Sequence, residues 1–250
     1  MAPSRVYAFG AHFRIADTYD LDGRYYHGEQ GTVGDFDMRL LDDRQPHKEK
    51  QERIELALGA DFASWCRPML TWFSIDTDNA KSASSTTYEL DGATYYYYTE
   101  SDEVRKGVEL LIQGNIGKRT TYKISWTHIL DSESTSDGET TDAIGATIPE
   151  NLYSLALNHR WGLYSANLSI KQVDEWTKTR SAKGLAEVGG LGDYTRVDAN
   201  IKRNFKLRRL LLTVALFGRN LGDDNYSTRF VTGYYPDRGR TLGAELALAF

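Results

Sequence analysis

Residues 208–250 read RRLLLTVALFGRNLGDDNYSTRFVTGYYPDRGRTLGAELALAF, and the fold turns on how this stretch alternates. In its last nine residues Leu242, Ala244, Leu246, Leu248 and Phe250 fall on one side of an extended chain, and Gly243, Glu245, Ala247 and Ala249 on the other. One side is apolar and closes on an aromatic ring. The run before it repeats the pattern: Leu210, Leu212, Val214 and Leu216 share a face opposite Arg209, Thr213 and Arg219, with Leu211 and Phe217 as exceptions. A period of two with one apolar face describes either a half-buried strand of a soluble sheet or a strand that crosses a bilayer as part of a barrel.

Between the two runs lie Asn220-Leu221-Gly222-Asp223-Asp224-Asn225-Tyr226, then Gly233-Tyr234-Tyr235-Pro236 and Gly239-Arg240. Asn and Asp hydrogen-bond nearby backbone and tolerate left-handed conformations, so they suit a point where a strand leaves its sheet. The amphipathic ring of Tyr226 fits a membrane interface. Simple alternation places Arg240 on the apolar side, and Gly239 is expected to supply a bulge that relieves this.

The same alternation recurs upstream. Tyr7, Phe9, Ala11, Phe13 and Ile15 share a face, a turn at Asp17-Thr18 follows, and a second strand runs to His27. Ile54, Leu56, Leu58, Ala60 and Phe62 oppose Arg53, Glu55, Ala57, Gly59 and Asp61, and Leu70 to Asp76 continues with mixed faces. Val108, Leu110, Ile112, Gly114 and Ile116 lead through a turn at Gly117-Lys118-Arg119 to Tyr122, Ile124, Trp126 and His128. Strands then cover residues 152–161 and 164–176, and Val197, Ala199 and Ile201 precede the turn at residues 205–207. This gives about eleven strands whose connections alternate short and long. The long polar ones span residues 28–50, 77–103, 132–149 and 177–192. Outer-membrane barrels sort their connections in this way, with short periplasmic turns and long extracellular loops. The apolar set Leu210, Leu212, Val214 and Leu216 is then expected to point away from the concave side. No repeat of 20 to 50 residues indicates a propeller or solenoid.

Composition agrees with β structure. Tyr occurs 16 times and aromatic residues make up 12% of the 250 residues, as expected where residues must pack on pleated surfaces. The longest apolar run, Leu210 to Phe217, is far too short for a spanning helix. Cys66 is the one cysteine, so no intrachain disulfide forms. Met1-Ala-Pro-Ser-Arg leads directly into an alternating strand with no export signal, as expected either of a chain that is not exported or of a piece of a longer protein whose beginning lies outside these residues.

Asn220, Leu221, Asp223 and Tyr226 match an Asn-Leu-x-Asp-x-x-Tyr element, and residues 233–240 follow a Gly-Tyr-Pro-x-Pro-Gly-Arg-like element with an extra Tyr235 and with Arg238 in place of the second proline. With the final Phe250, the stretch resembles the carboxy-terminal end of TonB-dependent outer-membrane receptors. Gly107-Val108-Glu109 is similar to the start of another strand of that family. The resemblance implies an all-β, antiparallel up-and-down transmembrane β-barrel, here about eleven strands of a larger barrel, and plugged outer-membrane transporters reach 22 strands. Residues 1–250 would be its carboxy-terminal portion, with signal peptide, plug domain and first barrel strands lying outside them. It implies a bacterial outer-membrane location, outer-membrane lipid and lipopolysaccharide as surroundings, and uptake of a scarce chelate such as a ferric siderophore or corrinoid. TonB would act through the amino-terminal region, and Leu246, Leu248 and Phe250 would be read by the barrel-assembly machinery. Two other readings of the residues stand beside it: a self-standing small barrel acting as an adhesin or structural surface protein, and a soluble β-sandwich binding module.

Nothing in the sequence indicates an enzyme, a cofactor or a nucleic-acid partner. His12, His27, His47, His128 and His159 are dispersed without metal-ligand spacing, and Ser134 and Ser136 lack a Gly-x-Ser-x-Gly elbow. Tyr95, Tyr96, Tyr97 and Tyr98 are the candidate ligand contacts, because tyrosine offers rigid amphipathic area in a loop; the same run is also what an aromatic girdle or an extended strand contains. Asp35, Asp37, Asp42, Asp43, Glu100, Asp102, Asp131, Glu133, Asp137 and Glu139 form either a solvated face or a site for divalent cations that bridge lipopolysaccharide. Glu55, Glu109, Asp198, Lys202 and Glu245 have the parity to face a plug.

Overall fold

The structure, a computed structural model, describes residues 5–30, 39–41, 46–145, 147–176, 191–207, 210–230 and 234–249. Among the described residues fourteen strands occur in the order β1 (Arg5–Ala16), β2 (Tyr19–Gln30), β3 (Glu49–Ala60), β4 (Arg67–Leu90), β5 (Ala93–Ile116), β6 (Thr120–Ser136) and β7 (Glu139–Asp142), followed by β8 (Asn151–Trp161), β9 (Tyr164–Val173), β10 (Tyr194–Leu207), β11 (Leu210–Arg219), β12 (Ser227–Phe230), β13 (Tyr234–Pro236) and β14 (Thr241–Ala249). Twelve of them form one sheet, eleven in the chain order β1-β2-β3-β4-β5-β6-β8-β9-β10-β11-β14 and β7 paired to β6, while β12 and β13 form a separate two-stranded hairpin. All neighbours along this path are antiparallel. The eleven-strand meander is thus the one the alternation predicts. A single continuous sheet also rules out the β-sandwich, which needs two sheets packed face to face.

Register decides the faces, since residues directly opposed in an antiparallel pair project to the same side. Leu212 opposes Leu248, Val214 opposes Leu246 and Leu216 opposes Ala244, and Ile201 joins Leu216 from β10. Lys202, Ala215 and Glu245 align on the other side. On the apolar side Phe9, Leu56, Leu216 and Leu246 are 67%, 51%, 56% and 72% exposed. On the polar side Ala57, Thr71 and Phe73 are at most 9% exposed. A curved sheet spreads side chains on its convex face and crowds them on its concave face, so the leucines point outward and the polar set inward, as expected. Each outward leucine covered by hydrocarbon contributes about 1.5–3 kcal/mol. Such a face is stable in lipid and costly in water.

The connections sort by end. Residues 17–18, 61–66, 117–119 and 162–163 join strands at one end, where β10 also ends at Leu207 and β11 begins at Leu210, while the long connections lie at the other. The short-turn end is rimmed by aromatic rings, Tyr19 against Phe62 and Trp161 against Tyr164. There Gly114 lets the 61–66 turn close over β5: a Cβ on it would sit 2.2 Å from the Trp65 carbonyl oxygen, which accepts a hydrogen bond from the Tyr122 hydroxyl. The Cys66 thiol lies free in this turn.

Three expectations are corrected here. Residues 77–103 are an extension of the sheet rather than a loop, because β4 and β5 each run for 24 residues and meet at Asp91-Gly92. Both tip residues have positive φ, 52° and 80°, the conformation of a two-residue hairpin turn. Residues 132–149 likewise begin as β6 and β7, joined at Asp137-Gly138 with φ of 52° and 81°. Above a bilayer both faces are wet, so the strand loses its apolar alternation while its Thr, Ser and Tyr content still favours a pleated chain. Gly107 does not begin a strand. It lies within β5 at a register shift, where a Cβ would come within 2.5 Å of the Phe73 ring and 2.7 Å of the His128 carbonyl oxygen.

Candidate functional site

At the long-loop end, the connection from β11 to β14 folds back onto β10 and is fastened there. Asn220 terminates β11 in a left-handed conformation, φ 48°, and is 2% exposed. Its backbone N–H donates to Asp198 Oδ1 at 2.9 Å. Its side-chain Nδ2 donates to the Asp224 and Arg238 carbonyl oxygens at 2.9 and 3.3 Å, and its Oδ1 accepts from the Asp224 N–H at 3.1 Å. One short amide thereby ties both ends of the loop. Leu221 N–H donates to the Val197 carbonyl oxygen at 2.8 Å, and Thr195 N–H to Asp224 Oδ2 at 2.9 Å. The loop is sewn to the strand beside it.

Charge completes the fastening. Arg196 grips Asp198 with two nitrogens at 3.0 and 2.8 Å and reaches Asp237 at 3.3 Å. The Tyr226 hydroxyl donates to the same Asp237 carboxylate, whose other oxygen accepts the Arg238 N–H. The bond from Tyr226 is the main influence holding the Asp237 carboxyl below the usual carboxylate range, against the opposing effect of burial. Burial first, and then this bond, push the Tyr226 hydroxyl above its ordinary value. The Tyr226 ring stacks on Tyr194 with centroids 3.8 Å apart and joins Val173 in a small core that Leu152 and Trp176 flank. Asp223, φ 59°, accepts from the Arg240 backbone N–H at 2.8 Å and pairs with its guanidinium at 3.2 Å.

The sequence element therefore has a structural meaning: Asn220, Leu221, Asp223, Tyr226 and Arg240 converge on one latch. The expected bulge at Gly239 is absent from the β11–β14 register. Arg240 leaves the apolar side for a different reason, since β14 begins only at Thr241 and Asp223 holds Arg240 in the loop. Gly239 lies against Asp223, 3.6 Å from the position its Cβ would take to Asp223 Oδ1. The partners Arg196, Asp224 and Asp237 were not singled out by sequence. A signal existed in the Arg-x-Asp pair of β10, but only pairing of β10 with β11 places it beside Asn220.

The tyrosine run stands elsewhere. Tyr95 to Tyr98 lie in β5 where it extends past the ladder's apolar part, and Tyr95 and Tyr97 pack on Tyr88 of β4 at 5.6 and 4.8 Å. Tyr98 N–H donates to the Arg39 carbonyl oxygen at 2.8 Å, while Tyr96 is 56% exposed. Between this hairpin and β6–β7 the inner wall forms a cavity of about 650 Å³, lined by Thr77, Ser101, Glu103, Arg105, Ser134 and Thr141 among others. Arg105 has no ion pair there among the described residues, and its buried Nε lacks an acceptor. On the inner face Glu55 is already paired with Arg24 and Arg53. Among the described residues no group of His, Cys, Asp or Glu could hold a metal ion. Leu246 and Leu248 are exposed on the outer face of β14; Phe250, like Asp35, Asp37, Asp42 and Asp43, lies outside the described residues.

An open meander with an apolar convex face, a polar concave face and connections sorted by end is the wall of a transmembrane β-barrel. The family described as TonB dependent receptor-like, beta-barrel matches residues 69–221, more than half of the chain, and the chain belongs to it. Solved structures share the fold. The ferric citrate transporter FecA superposes with a TM-score of 0.72 at 17% identity, covering 97% of this chain and 37% of that one. The ferripyoverdine receptor of the outer membrane of Pseudomonas aeruginosa gives 0.69 at 16%, covering 96% and 32%. The ferric-catecholate import receptor Fiu from E. coli gives 0.67 at 16%, covering 96% and 34%. The chain thus spans about a third of the length of these proteins. No curated protein sequence matches it.

Proposed function

We propose that residues 1–250 are the carboxy-terminal portion of the barrel of a bacterial outer-membrane receptor that imports a scarce chelate, such as a ferric siderophore or corrinoid, with energy delivered through TonB. The observation that carries this is the open sheet. β1 and β14 end the path and are not paired with each other among the described residues, and an unpaired edge in lipid leaves backbone groups unsatisfied at several kcal/mol each. A wall of eleven strands supports closure by a further set of strands, together with a plug that would meet the inward charges Glu109, Lys202 and Glu245. A self-standing eleven-strand barrel would have to join two strands that run in the same direction, whereas bacterial single-chain outer-membrane barrels have an even number of strands and close antiparallel.

Ligand contact falls to the long-loop end. Tyr96 offers an exposed ring there, and the inner-wall cavity presents hydroxyls around Arg105. At the other extreme, the outward alternation of β14 suits strand addition by the assembly machinery, with Leu246, Leu248 and Phe250 as alternate side-chain anchors. The deciding experiment is uptake of a radiolabelled ferric chelate by cells carrying the intact receptor, with and without TonB. Uptake should disappear without TonB, and purified residues 1–250 alone should show no discrete single-channel conductance; TonB-independent uptake, or a reproducible pore from the chain alone, would end this reading.

A further inference from the structure

The short-turn end carries a charge pattern that barrel closure does not explain. Residues 110–130, 151–173 and 199–222, which hold the β5–β6, β8–β9 and β10–β11 hairpins, contain no Asp or Glu, although the chain has 35 of them. The β1–β2 and β3–β4 hairpins do have acids at this end, at Asp17, Asp20 and Asp61. The three acid-free strand pairs sit side by side: Arg160 N–H donates to the Arg119 carbonyl oxygen at 2.9 Å and Asn204 N–H to that of Leu163 at 3.1 Å. They bring together Lys118, Arg119, Arg160 and Lys206 with no carboxylate of their own hairpins beside them. The result is a basic rim along one arc of the barrel.

Arg203 marks what the rim meets. It opposes Tyr164 on β9 and Val214 on β11, and Val214 opposes Leu246, so Arg203 belongs to the outward, lipid-facing row. Its guanidinium carbon lies 4.8 Å from the Tyr164 ring centroid and 4.5 Å from that of Phe205, while its buried Nε has no acceptor. Two aromatic faces hold the cation by its π-contacts; the buried Nε is closed to any outside group, and the Nη groups, which have no hydrogen-bond partner among the described residues, are the ones left to meet something outside the chain. A charge on this row is costly near the bilayer midplane and tolerated near the interface, where lipid phosphates lie. A phosphodiester is also what a planar guanidinium binds with two parallel hydrogen bonds.

We propose that the rim formed by Lys118, Arg119, Arg160 and Lys206 at the ends of the β5–β6, β8–β9 and β10–β11 strand pairs is a docking face for anionic phospholipid of the leaflet at the short-turn end, with Arg203, held against Tyr164 and Phe205, as the direct phosphate contact. Zwitterionic lipid offers the same phosphate but cancels it with its own ammonium, whereas the acid-free rim favours a headgroup with net negative charge. The proposal rests on the membrane-barrel reading. Spin-labelled lipids separate the two in the intact receptor carrying this chain, placed in phosphatidylcholine nanodiscs with either labelled phosphatidylglycerol or labelled phosphatidylcholine. Absence of any motionally restricted lipid would defeat the barrel reading itself. A restricted component is expected, with phosphatidylglycerol preferred roughly fivefold, the ratio that one cation near an anionic surface gives. Arg203→Gln should reduce this below about twofold and Arg203→Lys should retain part of it, whereas Lys81→Gln at the opposite end should leave it unchanged. Heat-modifiable mobility checks that each variant is folded. Equal association of both lipids with the unaltered protein overturns the proposal, and doubly so if a polyglutamate peptide binds instead, since the rim would then face an acidic protein segment. An undiminished preference in Arg203→Gln overturns the role of Arg203.

Discussion

The β4–β5 hairpin and the β11–β14 connection lie at the same end of the sheet and are written in the same residues, Tyr, Asp, Gly, Ser and Thr, yet they hold their shapes by different means. The hairpin repeats a ladder. Tyr88 opposes Tyr95, both rings stack, and the partners are few residues apart. The connection has almost no ladder of its own, and its order comes from unique bonds that reach across the sequence, such as Arg196 to Asp237 and Asn220 to Arg238. A repetitive structure loses one contact at a time. A latch in which a single buried side-chain amide serves three groups has no such tolerance, because an unpaired buried polar group costs about 1–3 kcal/mol.

The largest effect is therefore expected at Asn220. Asn220→Ala removes the side-chain bonds and keeps a left-handed residue, and should weaken closure of the 220–240 loop by on the order of 3 kcal/mol. Asn220→Gly relieves the backbone and should recover about 1 kcal/mol of that. Trypsin cleavage after Arg229 reads both, and equal cleavage of the two variants would show that φ at Asn220 is irrelevant.

Next comes Tyr226→Phe, which keeps the ring stack on Tyr194 but removes the bond to Asp237, with an expected loss of about 1.5 kcal/mol by the same cleavage assay. The pair also has a pH signature. The lowered carboxyl of Asp237 contributes stability that is present above the ordinary carboxylate value and is lost as pH falls through its lowered one. The raised Tyr226 hydroxyl contributes stability that is present below the ordinary phenol value and is lost as pH rises through its raised one. Amide exchange in residues 220–240 should show both limbs, and Tyr226→Phe should abolish the alkaline limb.

A smaller effect is expected from Tyr88→Ala, about 1 kcal/mol from lost ring stacking. Faster amide exchange should stay within the β4–β5 hairpin; if it spreads to residues 220–240, the two regions are coupled and the contrast between them fails. Smallest is Tyr96→Ser, expected within about 0.5 kcal/mol because the ring is mostly exposed. Any change it causes in chelate uptake then reports contact with ligand rather than loss of fold.

Alternation made the membrane part of each strand legible, because one face had to be apolar over its whole length. It failed where β4, β5 and β6 rise above the apolar zone, since wet strands carry no such constraint. The latch was half legible. Asn220, Asp223 and Tyr226 announce a tight departure from the sheet, but Arg196, Asp224 and Asp237 have ordinary neighbours in sequence.

What the sequence determined by itself was the period-two pattern, and with it the number, order and facing of the eleven long strands, since those follow from local side-chain parity and connection length. Only the tertiary structure decided that Asn220 bonds both ends of its loop, that Arg196 bridges Asp198 and Asp237, and that three acid-free strand pairs meet at one rim. Each of these depends on which strand lies beside which and in what register, and that is settled by pairing across the sheet rather than by any stretch of chain alone.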